Sequence, residues 1–365
     1  MTKTNRATLA IAPTDLLPDI ADALQLSPAH LHLSPIIHGE HKRNNVWRLK
    51  TPSHTFLLKQ HLIPTPIGGG HFAPFQLECA VLSTLWNAGC PVPKVYWKSD
   101  EAQCLLLEWC GEKTLDAVAQ TAPGEQVNPI IEETIKGFCE LERAFVKYQD
   151  ALEPYAFAPV SEGLQALFQQ GRQTLRYFSQ LHPRLADRFQ GLDIESAWSA
   201  SIDDIAATLG PLDYNARNIV VDGNRATFVD LGSIGWDWSE KRLVQYLSSL
   251  GANVPEGNFV NLLNREAVQR YVDNAITYRT GCSGEALIAA VDCQHVWFYL
   301  GVIHRLLRIT ARPMDAESQT LLRAWANPAL RFQRAIDIIT GTRLSEHHAV
   351  NTIRNFIGEC YDLAG

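Results

Sequence analysis

The pattern of apolar and polar positions divides the chain into two unlike parts. Near the N-terminus, residues 45–50 (NVWRLK) and 55–59 (TFLLK) have the composition of strands, and the turn formers Pro52 and Ser53 separate them, which predicts a hairpin. Further strands are expected at residues 94–98 and 104–109, and helices at residues 14–25 and 75–88. The first 110 residues are therefore predicted to be rich in strands.

Beyond Gly111 the apolar residues recur mainly at helical spacing. The predicted helices lie at residues 128–149, 160–181, 194–208, 240–252, 258–276, 284–310 and 328–340. A second hairpin interrupts them, because β-branched runs flank the Asp-Gly turn at residues 222–225. We predict an α+β chain with a small N-lobe, residues 1–110, and a larger, mostly helical C-lobe, residues 111–365.

Composition narrows the classes of partner. The 365 residues carry a formal net charge of −7, which does not favour a nucleic acid partner. The apolar stretch from residue 286 to 307 is interrupted by Asp292, His295, His304 and Arg305, so no membrane span is predicted there. The eight cysteines form no CxxC pair and are expected to be reduced thiols. These features predict a cytoplasmic protein.

The second hairpin also predicts a cluster of oxygen-bearing side chains. A turn at residues 222–225 places Asn218 opposite Val229 and beside Asp230, and Asp213 lies five residues before Asn218. A carboxylate and an amide are suitable ligands for Mg²⁺, which keeps its other positions for water and phosphate. A second carboxylate that is not bound to metal could accept a proton.

These residues resemble a known family. Asp213-Tyr-Asn-Ala-Arg-Asn218, followed by the hairpin and by Asp230-Leu-Gly232, resembles the catalytic loop and metal-binding segment of protein kinases, in the form seen in the aminoglycoside phosphotransferase and choline kinase superfamily. Similar upstream motifs occur in the same order, over about residues 36–250. They are the loop with Gly39, RNNVWRL at 43–49, Lys59, Glu78 and CLLLEWCG at 104–111.

The resemblance implies a bilobal protein-kinase-like fold and an ATP-dependent phosphotransferase that uses Mg²⁺ and acts on the hydroxyl of a small molecule. It implies that Lys59, paired with Glu78, orients the phosphates, and that Asp213 is the catalytic base. Other roles follow in the same way: Asn44, Glu108 and Cys110 contact the nucleotide, and Asn218 and Asp230 hold the metal.

Some positions depart from the family pattern. Pro211-Leu212 stands where His-Gly usually precedes the catalytic Asp, Trp238 replaces a proline after Asp237, and the nucleotide loop has one glycine. A non-catalytic, nucleotide-binding pseudokinase is therefore the alternative. The chain retains all five principal residues of the family's site, which favours an enzyme: Lys59, Glu78, Asp213, Asn218 and Asp230. A protein kinase is not favoured, because no A-P-E-type segment follows Asp230.

The acceptor is less clearly indicated. Residues 240–365 contain 13 Lys or Arg and 12 Asp or Glu, which does not favour a polycationic aminoglycoside. A sugar or a weakly anionic metabolite would fit a pocket formed by Trp236, Asp237, Trp238, Tyr299 and Arg305. The alternative is that the aromatic residues pack the core, that Asp237 braces the catalytic loop and that Arg305 is solvated. The oligomeric state is not indicated.

Overall fold

The computed structural model describes residues 12–37, 44–66, 70–122, 124–157, 161–181, 189, 194–202, 204–254 and 256–362. The predicted α+β class is confirmed, since a strand-rich N-terminal region precedes a mostly helical C-terminal one. Gly39 and Arg43 of the predicted nucleotide loop lie outside the described residues.

An antiparallel five-stranded sheet forms the N-terminal region, with strand order β1-β2-β3-β5-β4. Its strands are β1 (His32–Ile37), β2 (Asn44–Lys50), β3 (Thr55–His61), β4 (Val95–Ser99) and β5 (Cys104–Glu108). Strand β1 was not predicted from the pattern. Pro35 explains this, because proline cannot donate to a ladder and is tolerated in an edge strand, where the pairing with β2 is also irregular.

Both faces of this sheet are covered. Alternate residues of β5 point to opposite sides: Leu105 and Leu107 join the main core, and Cys104 and Leu106 join a smaller one. A short helix, α1 (Leu17–Leu24), contributes Ile20 to the smaller core. Helix α2 (Pro74–Asn87) packs on the other side, and it positions Glu78 against the sheet.

The C-terminal region contains eleven described helices, α3 to α13. In chain order they are Leu115–Thr121, Gly124–Lys147, Gln149–Leu152, Ser161–Leu181, Ile194–Ile202, Ser239–Tyr246, Arg265–Ala275, Gly284–Ala311, Ala316–Ala324, Pro328–Gly341 and His348–Asp362. Of these, α10 (Gly284–Ala311) is central and contacts α6 (Ser161–Leu181), α8 (Ser239–Tyr246) and α12 (Pro328–Gly341).

Helix α10 is long and apolar enough, by length and composition, to cross a membrane. In the fold, however, 78 % of its most apolar window is buried inside the protein. Ser283 caps its N-terminus by accepting a hydrogen bond from the Ala286 amide. It is packed as the core helix of the C-terminal region.

Three predicted helices are shorter than the apolar pattern suggested. The helices predicted at residues 194–208 and 240–252 end at Ile202 and Tyr246, and the one predicted at 258–276 begins at Arg265. Strand pairing replaces helix there: β7 (Thr208–Pro211) pairs with β10 (Ile234–Asp237), and β11 (Ser248–Ser249) pairs with β12 (Val260–Asn261). Long-range pairing overrides the local period at these positions.

The predicted second hairpin is confirmed with its register. Strands β8 (Ile219–Asp222) and β9 (Arg225–Phe228) pair with Ile219 opposite Phe228 and Asp222 opposite Arg225. Beyond the last pair, the Val229 amide donates to the Asn218 carbonyl at 2.9 Å. A short strand, β6 (Lys113–Thr114), adds to β8 and completes a three-stranded sheet.

Candidate active site

Lys59 connects the N-terminal sheet to the C-terminal region. Its Nζ lies 2.7 Å from Glu78 Oε2 on α2 and 2.7 Å from Asp230 Oδ1, just after β9. Lys59 and Glu78 are 5 % and 1 % exposed, whereas the side chain of Asp230 is 42 % exposed. The ammonium group is therefore held between a buried carboxylate and one that faces solvent.

The charges of this cluster support one another. Burial lowers the pKa of Lys59, but the carboxylates of Asp230 and Glu78 outweigh it and raise that pKa above its ordinary value. Burial raises the pKa of Glu78, but Lys59 and then His61 outweigh it and lower that pKa to about 2. Both Lys59 and Glu78 are thus charged at neutral pH.

His61 belongs to this cluster and was missed in the sequence. Its Nε2 lies 2.8 Å from Glu78 Oε2, and its side chain is 2 % exposed. The signal was its position two residues after Lys59, because side chains separated by two residues share one face of a strand. His61 gives Glu78 a second nitrogen contact and holds the carboxylate in place.

The catalytic-loop segment from Asp213 to Asn218 connects β7 to β8. Asn218 Nδ2 donates to the Asp213 carbonyl at 2.6 Å, and Asn215 Nδ2 donates to Asp213 Oδ1 at 2.9 Å. These bonds close the loop and orient an exposed carboxylate. Pro211 pairs with Ile234, and this strand pairing fixes the start of the loop where the family usually has histidine and glycine.

Asp237 is engaged in bracing the same loop. Its Oδ2 accepts hydrogen bonds from Tyr214 Oη at 2.5 Å and Lys241 Nζ at 2.7 Å, and its Oδ1 accepts one from the Trp238 amide at 2.8 Å. Tyr214 follows Asp213 directly, so the network connects β10 and α8 to the loop. Below it, the buried Arg242 forms a bidentate pair with Glu142, with both N–O distances at 2.7 Å.

Asp230 adopts a left-handed backbone conformation with a φ of 61°. Aspartate tolerates this region better than most residues, but at some energetic cost. Its Oδ1 accepts a hydrogen bond from Lys59 Nζ, although the two residues are far apart in the sequence. Gly232 lies close to Glu78, since a Cβ added there would stand 3.6 Å from Glu78 Oε2. The turn after β9 therefore packs directly against the buried Lys59–Glu78 pair.

These elements border a cleft of about 560 Å³, which we call the active-site cleft. Its lining brings together the side chains of Asn44, His61, Asp213 and Asp230. The remaining lining residues are Ile63, Pro74, Phe157, Leu212, Gly232 and Ser233. A volume in this range is suitable for a ligand of nucleotide size.

Asn218 and Asp230 are the residues that could hold a metal ion, because the bond from the Val229 amide to the Asn218 carbonyl keeps them at the same end of the hairpin. With its Nδ2 bound to the Asp213 carbonyl, Asn218 has its amide oxygen available, and Asp230 contributes a half-exposed carboxylate. Among the described residues, no group of three His, Cys, Asp or Glu could hold a metal by itself. One amide and one carboxylate instead suit Mg²⁺ that arrives with phosphate oxygens and water.

The predicted adenine contacts, Glu108 and Cys110, lie at the end of β5. Glu108 Oε1 stands 3.4 Å from Arg225 Nη1, and its Oε2 accepts a hydrogen bond from the Lys94 amide. Cys110 Sγ donates to the Glu108 carbonyl at 3.6 Å, and burial raises the pKa of this thiol to about 12. Since the carboxylate is directed toward Arg225, recognition of a base here would depend on backbone groups.

The five predicted acceptor residues are not brought into one pocket. Arg305 lines a separate cavity beside Leu212, while Trp236 lines an open depression near His71. Tyr299 is wholly buried, and Asp237 is held in the network described above. Trp238 donates from Nε1 to the Ile205 carbonyl and packs against the core, as the alternative interpretation expected of the aromatic residues.

Comparison with known proteins identifies the family and the fold of this chain. The family model of the phosphotransferase enzyme family (APH) matches residues 32–257. A choline kinase from Cryptosporidium parvum Iowa II has a TM-score of 0.54 at 11 % identity, covering 94 % of this chain and 99 % of that one. It shows that the kinase-like fold is shared.

Two further solved structures are similar at lower scores. A choline/ethanolamine kinase family protein from Mesorhizobium loti has a TM-score of 0.49 at 15 % identity, covering 93 % of this chain and 98 % of that one. An ethanolamine kinase from Plasmodium vivax has a TM-score of 0.48 at 12 % identity, covering 89 % and 87 %. A search of curated protein sequences found no match.

The family match extends over more than half of the chain, from the first strand of the sheet to beyond β11. It includes Lys59, Glu78, the catalytic-loop segment and Asp230. The predicted family and bilobal kinase-like fold are thereby confirmed: the chain belongs to the phosphotransferase enzyme family.

Proposed function

We propose that this enzyme transfers the γ-phosphoryl group of ATP, bound with Mg²⁺, to a hydroxyl group of a small molecule. The observation that carries the proposal is the active-site cleft, where the exposed carboxylate of Asp213 and the Lys59-bound carboxylate of Asp230 line one volume. Family membership supports phosphoryl transfer. The cleft supports the assignment of roles.

The charged and polar residues of the site would have separate roles in binding the metal ion and the phosphates. Asn218 and Asp230 would hold the metal ion, which neutralises phosphate charge when bound. Lys59, kept in place by Glu78, would turn from Asp230 toward the α and β phosphates. His61 would keep Glu78 oriented during that change, because it contacts the same carboxylate oxygen.

Asp213 would act on the acceptor. Its carboxylate orients the acceptor hydroxyl and takes its proton as the hydroxyl oxygen bonds to the γ-phosphorus. The bond between that phosphorus and the β,γ-bridging oxygen breaks, and ADP leaves. The hydrogen bond from Asn215 orients Asp213 for this task, and it leaves the carboxylate exposed to the cleft.

The alternative is a pseudokinase that binds nucleotide without transfer. Its support is the missing catalytic-loop histidine and the single glycine of the nucleotide loop. The β7–β10 pairing and the Asp237 network brace the catalytic loop without the histidine. The family match and the presence of both Asp213 and Asp230 in the cleft favour the enzyme.

Substitution of Asp213 distinguishes these two functions. We expect Asp213→Asn to leave Mg·ATP affinity within a few fold, because the change is nearly isosteric and removes no metal ligand. Turnover should fall about 10²-fold or more, as expected when a positioned proton acceptor is lost. Calorimetry measures the affinity, and mass spectrometry of products from an acceptor panel of sugars, amino alcohols and antibiotics measures turnover.

The matched control is Asp222→Asn, which makes the same change at the exposed turn of the β8–β9 hairpin. It should retain full turnover. An Asp213→Asn enzyme with an unchanged rate would remove the assigned base. Absence of product from the wild type over the whole panel would favour the pseudokinase.

A further inference from the structure

A second cavity, of about 280 Å³, lies beside the catalytic-loop segment, and we call it the side cavity. Leu212 and Tyr214, which flank Asp213, both line it, and Leu212 also lines the active-site cleft. The rest of its lining comes from α6, α8 and α10: Gln170, Lys241, Gln245, Gln294, Trp297, Phe298, Gly301, Val302 and Arg305. The side cavity therefore adjoins the catalytic-loop segment through the two residues that flank Asp213.

The charge of the side cavity is positive. Its lining includes Lys241 and Arg305, and it includes no Asp or Glu among the described residues. Lys241 is neutralised by Asp237 at 2.7 Å, but Arg305 makes no ion pair with any residue in the described part of the chain. The nearby Glu317 is itself bound to Arg308 at 2.5 Å. Arg305 is exposed, as the alternative interpretation of the sequence expected, and it is the cation of this lining that is available to an anion.

The side cavity also offers amide groups. Three glutamines line it, and Gln294 is 3 % exposed with no hydrogen-bond partner for its Nε2 among the described residues. An unpaired buried donor costs about 1–3 kcal/mol, and a ligand oxygen would relieve that cost. Amides both donate and accept hydrogen bonds, which suits hydroxyl groups. Trp297 and Phe298 form an apolar part of the cavity wall.

Small residues keep this space open. A Cβ added at Gly301 would meet no atom within 4 Å, so the helix leaves room there. Gly301 lies seven residues after Gln294 and four before Arg305, so the three share one face of α10. On α6, a Cβ at Gly171 would stand 2.1 Å from Trp297 Cζ3, so glycine is needed for the two helices to meet beside Gln170.

From these observations we propose that the side cavity binds the acceptor, and that the acceptor is a small polyhydroxylated anion. Its carboxylate or phosphate pairs with Arg305, its hydroxyl groups bond to the glutamine amides, and one further hydroxyl extends past Leu212 to Asp213. The volume lies just below the range of about 300–1,000 Å³ for drug-sized ligands, which indicates a small metabolite. The phosphorylation of this anion rests on the proposed function; its binding does not.

A cationic acceptor would use a different surface. The open depression of about 430 Å³ near Trp236 contains Asp150 and Glu153, both exposed. Unlike the side cavity, this depression has no residue of the catalytic-loop segment in its described lining, so an amine bound there would not lie beside Leu212 and Tyr214. Arg305 would repel an amine from the side cavity. If the acceptor is an anion, a negative charge on the ligand should strengthen binding. If the acceptor is a cation, a positive charge should strengthen it.

Binding to four probes tests the proposal. D-glucuronate and glucose 6-phosphate represent the two anions, glucose is the neutral reference and glucosamine the cation, each titrated by calorimetry at neutral pH. At least one anion should bind at least tenfold more tightly than glucose and glucosamine. Arg305→Gln should weaken that anion about tenfold or more, the scale of a lost charged hydrogen bond. Comparison of the two anions identifies the preferred group.

Gly301→Leu provides a steric test that removes no polar group. The side chain would fill the side cavity and abolish anion binding, while Mg·ATP binding should stay unchanged. Gly341→Leu, at the exposed end of α12 where a Cβ also meets nothing within 4 Å, is the matched control and should bind like wild type. Unchanged Mg·ATP binding also shows that each variant is folded.

Several results would overturn the proposal. These are failure of both anions to bind, anion binding that Arg305→Gln or Gly301→Leu leaves intact, and tighter binding of glucosamine than of either anion. Anion binding that depends on Arg305 without any phosphorylated product would instead sustain the site and contradict the proposed function. The two failures are therefore distinguishable.

Discussion

At the scale of single residues, Lys59 is the side chain on which the site depends most. It is nearly buried, and it contacts two carboxylates that come from α2 and from the segment after β9. Glu78 has lost its hydration almost completely, so its charge is tolerated because Lys59 and His61 contact it. Removing Lys59 should therefore destabilise the fold, because the buried charge of Glu78 would lose its main partner.

We expect Lys59→Met to lower the free energy of unfolding by about 3–5 kcal/mol at pH 7, since it leaves the buried Glu78 charge without its cation. The double variant Lys59→Met/Glu78→Gln should recover much of that loss. Urea unfolding of the single and double variants measures both effects. The contribution of Glu78 is full above its ordinary pKa of 4.5 and is lost as pH falls toward about 2.

The exposed pair of Lys98 and Asp100, 3.4 Å apart, is the matched control. Lys98→Met should change the free energy of unfolding by less than about 1 kcal/mol, because exposed ion pairs contribute little. Equal losses from Lys59→Met and Lys98→Met would show that the buried charge is not the cause.

Residue identities could be predicted from sequence where motif order and local geometry both applied. Asn218 and Asp230 were placed correctly beside the hairpin because an Asp-Gly turn fixes the strand register. The acceptor residues could not be assigned in this way. Tyr299 is buried while its neighbour Phe298 lines the side cavity, and the choice depends on how α10 is rotated against α6 and α8.

At the scale of elements, α10 depends on two glycines with opposite surroundings. Trp297 packs against Gly171 of α6 so closely that no side chain fits between them, whereas Gly301 faces open space. Both glycines are in helices, where alanine is intrinsically favoured by about 1 kcal/mol. Packing should therefore decide whether a glycine-to-alanine substitution raises or lowers the stability of the protein at each site.

We expect Gly171→Ala to destabilise the protein by about 1–3 kcal/mol, because the new methyl group forces Trp297 or the helices to move. Gly301→Ala should stabilise it by up to about 1 kcal/mol. Thermal or urea unfolding of the two variants measures the difference. If both substitutions changed stability alike, the close contact between α6 and α10 would be refuted.

Elements were predictable from sequence where the local pattern decided their structure. Helix α10 was found because its apolar stretch is long, and the hairpin of β2 and β3 was found because turn formers separate two strand-like runs. Strands β7 and β10 were not found, since each has four residues and is stabilised by pairing with residues 23 to 29 positions away in the sequence. Such pairing leaves little trace in a short window of sequence.

At the scale of the whole molecule, the active-site cleft depends on residues from two regions of the chain. Asn44, Lys59 and His61 come from the N-terminal sheet, while Asp213 and Asp230 come from the C-terminal region. Lys59 also binds Asp230 directly, which joins the two regions. A nucleotide with its metal would contact both regions at once and should stabilise their association.

We expect Mg·ATP at 100 times its dissociation constant to stabilise the wild type by about 2.7 kcal/mol, by mass action on the folded state. Asp230→Ala should lose this gain at the same ligand concentration, because the carboxylate supplies the protein's main charge at the metal. Thermal unfolding with Mg·ATP, with ATP plus EDTA and without ligand measures the gain in each protein, and Asp222→Ala, at the exposed hairpin turn, should behave as wild type.

Since Asp230→Ala also frees Lys59, ATP without metal should bind the variant at least as well as the wild type. A gain from Mg·ATP that survives in Asp230→Ala and does not need the metal would show that Lys59 alone holds the nucleotide, and would remove Asp230 from the metal site.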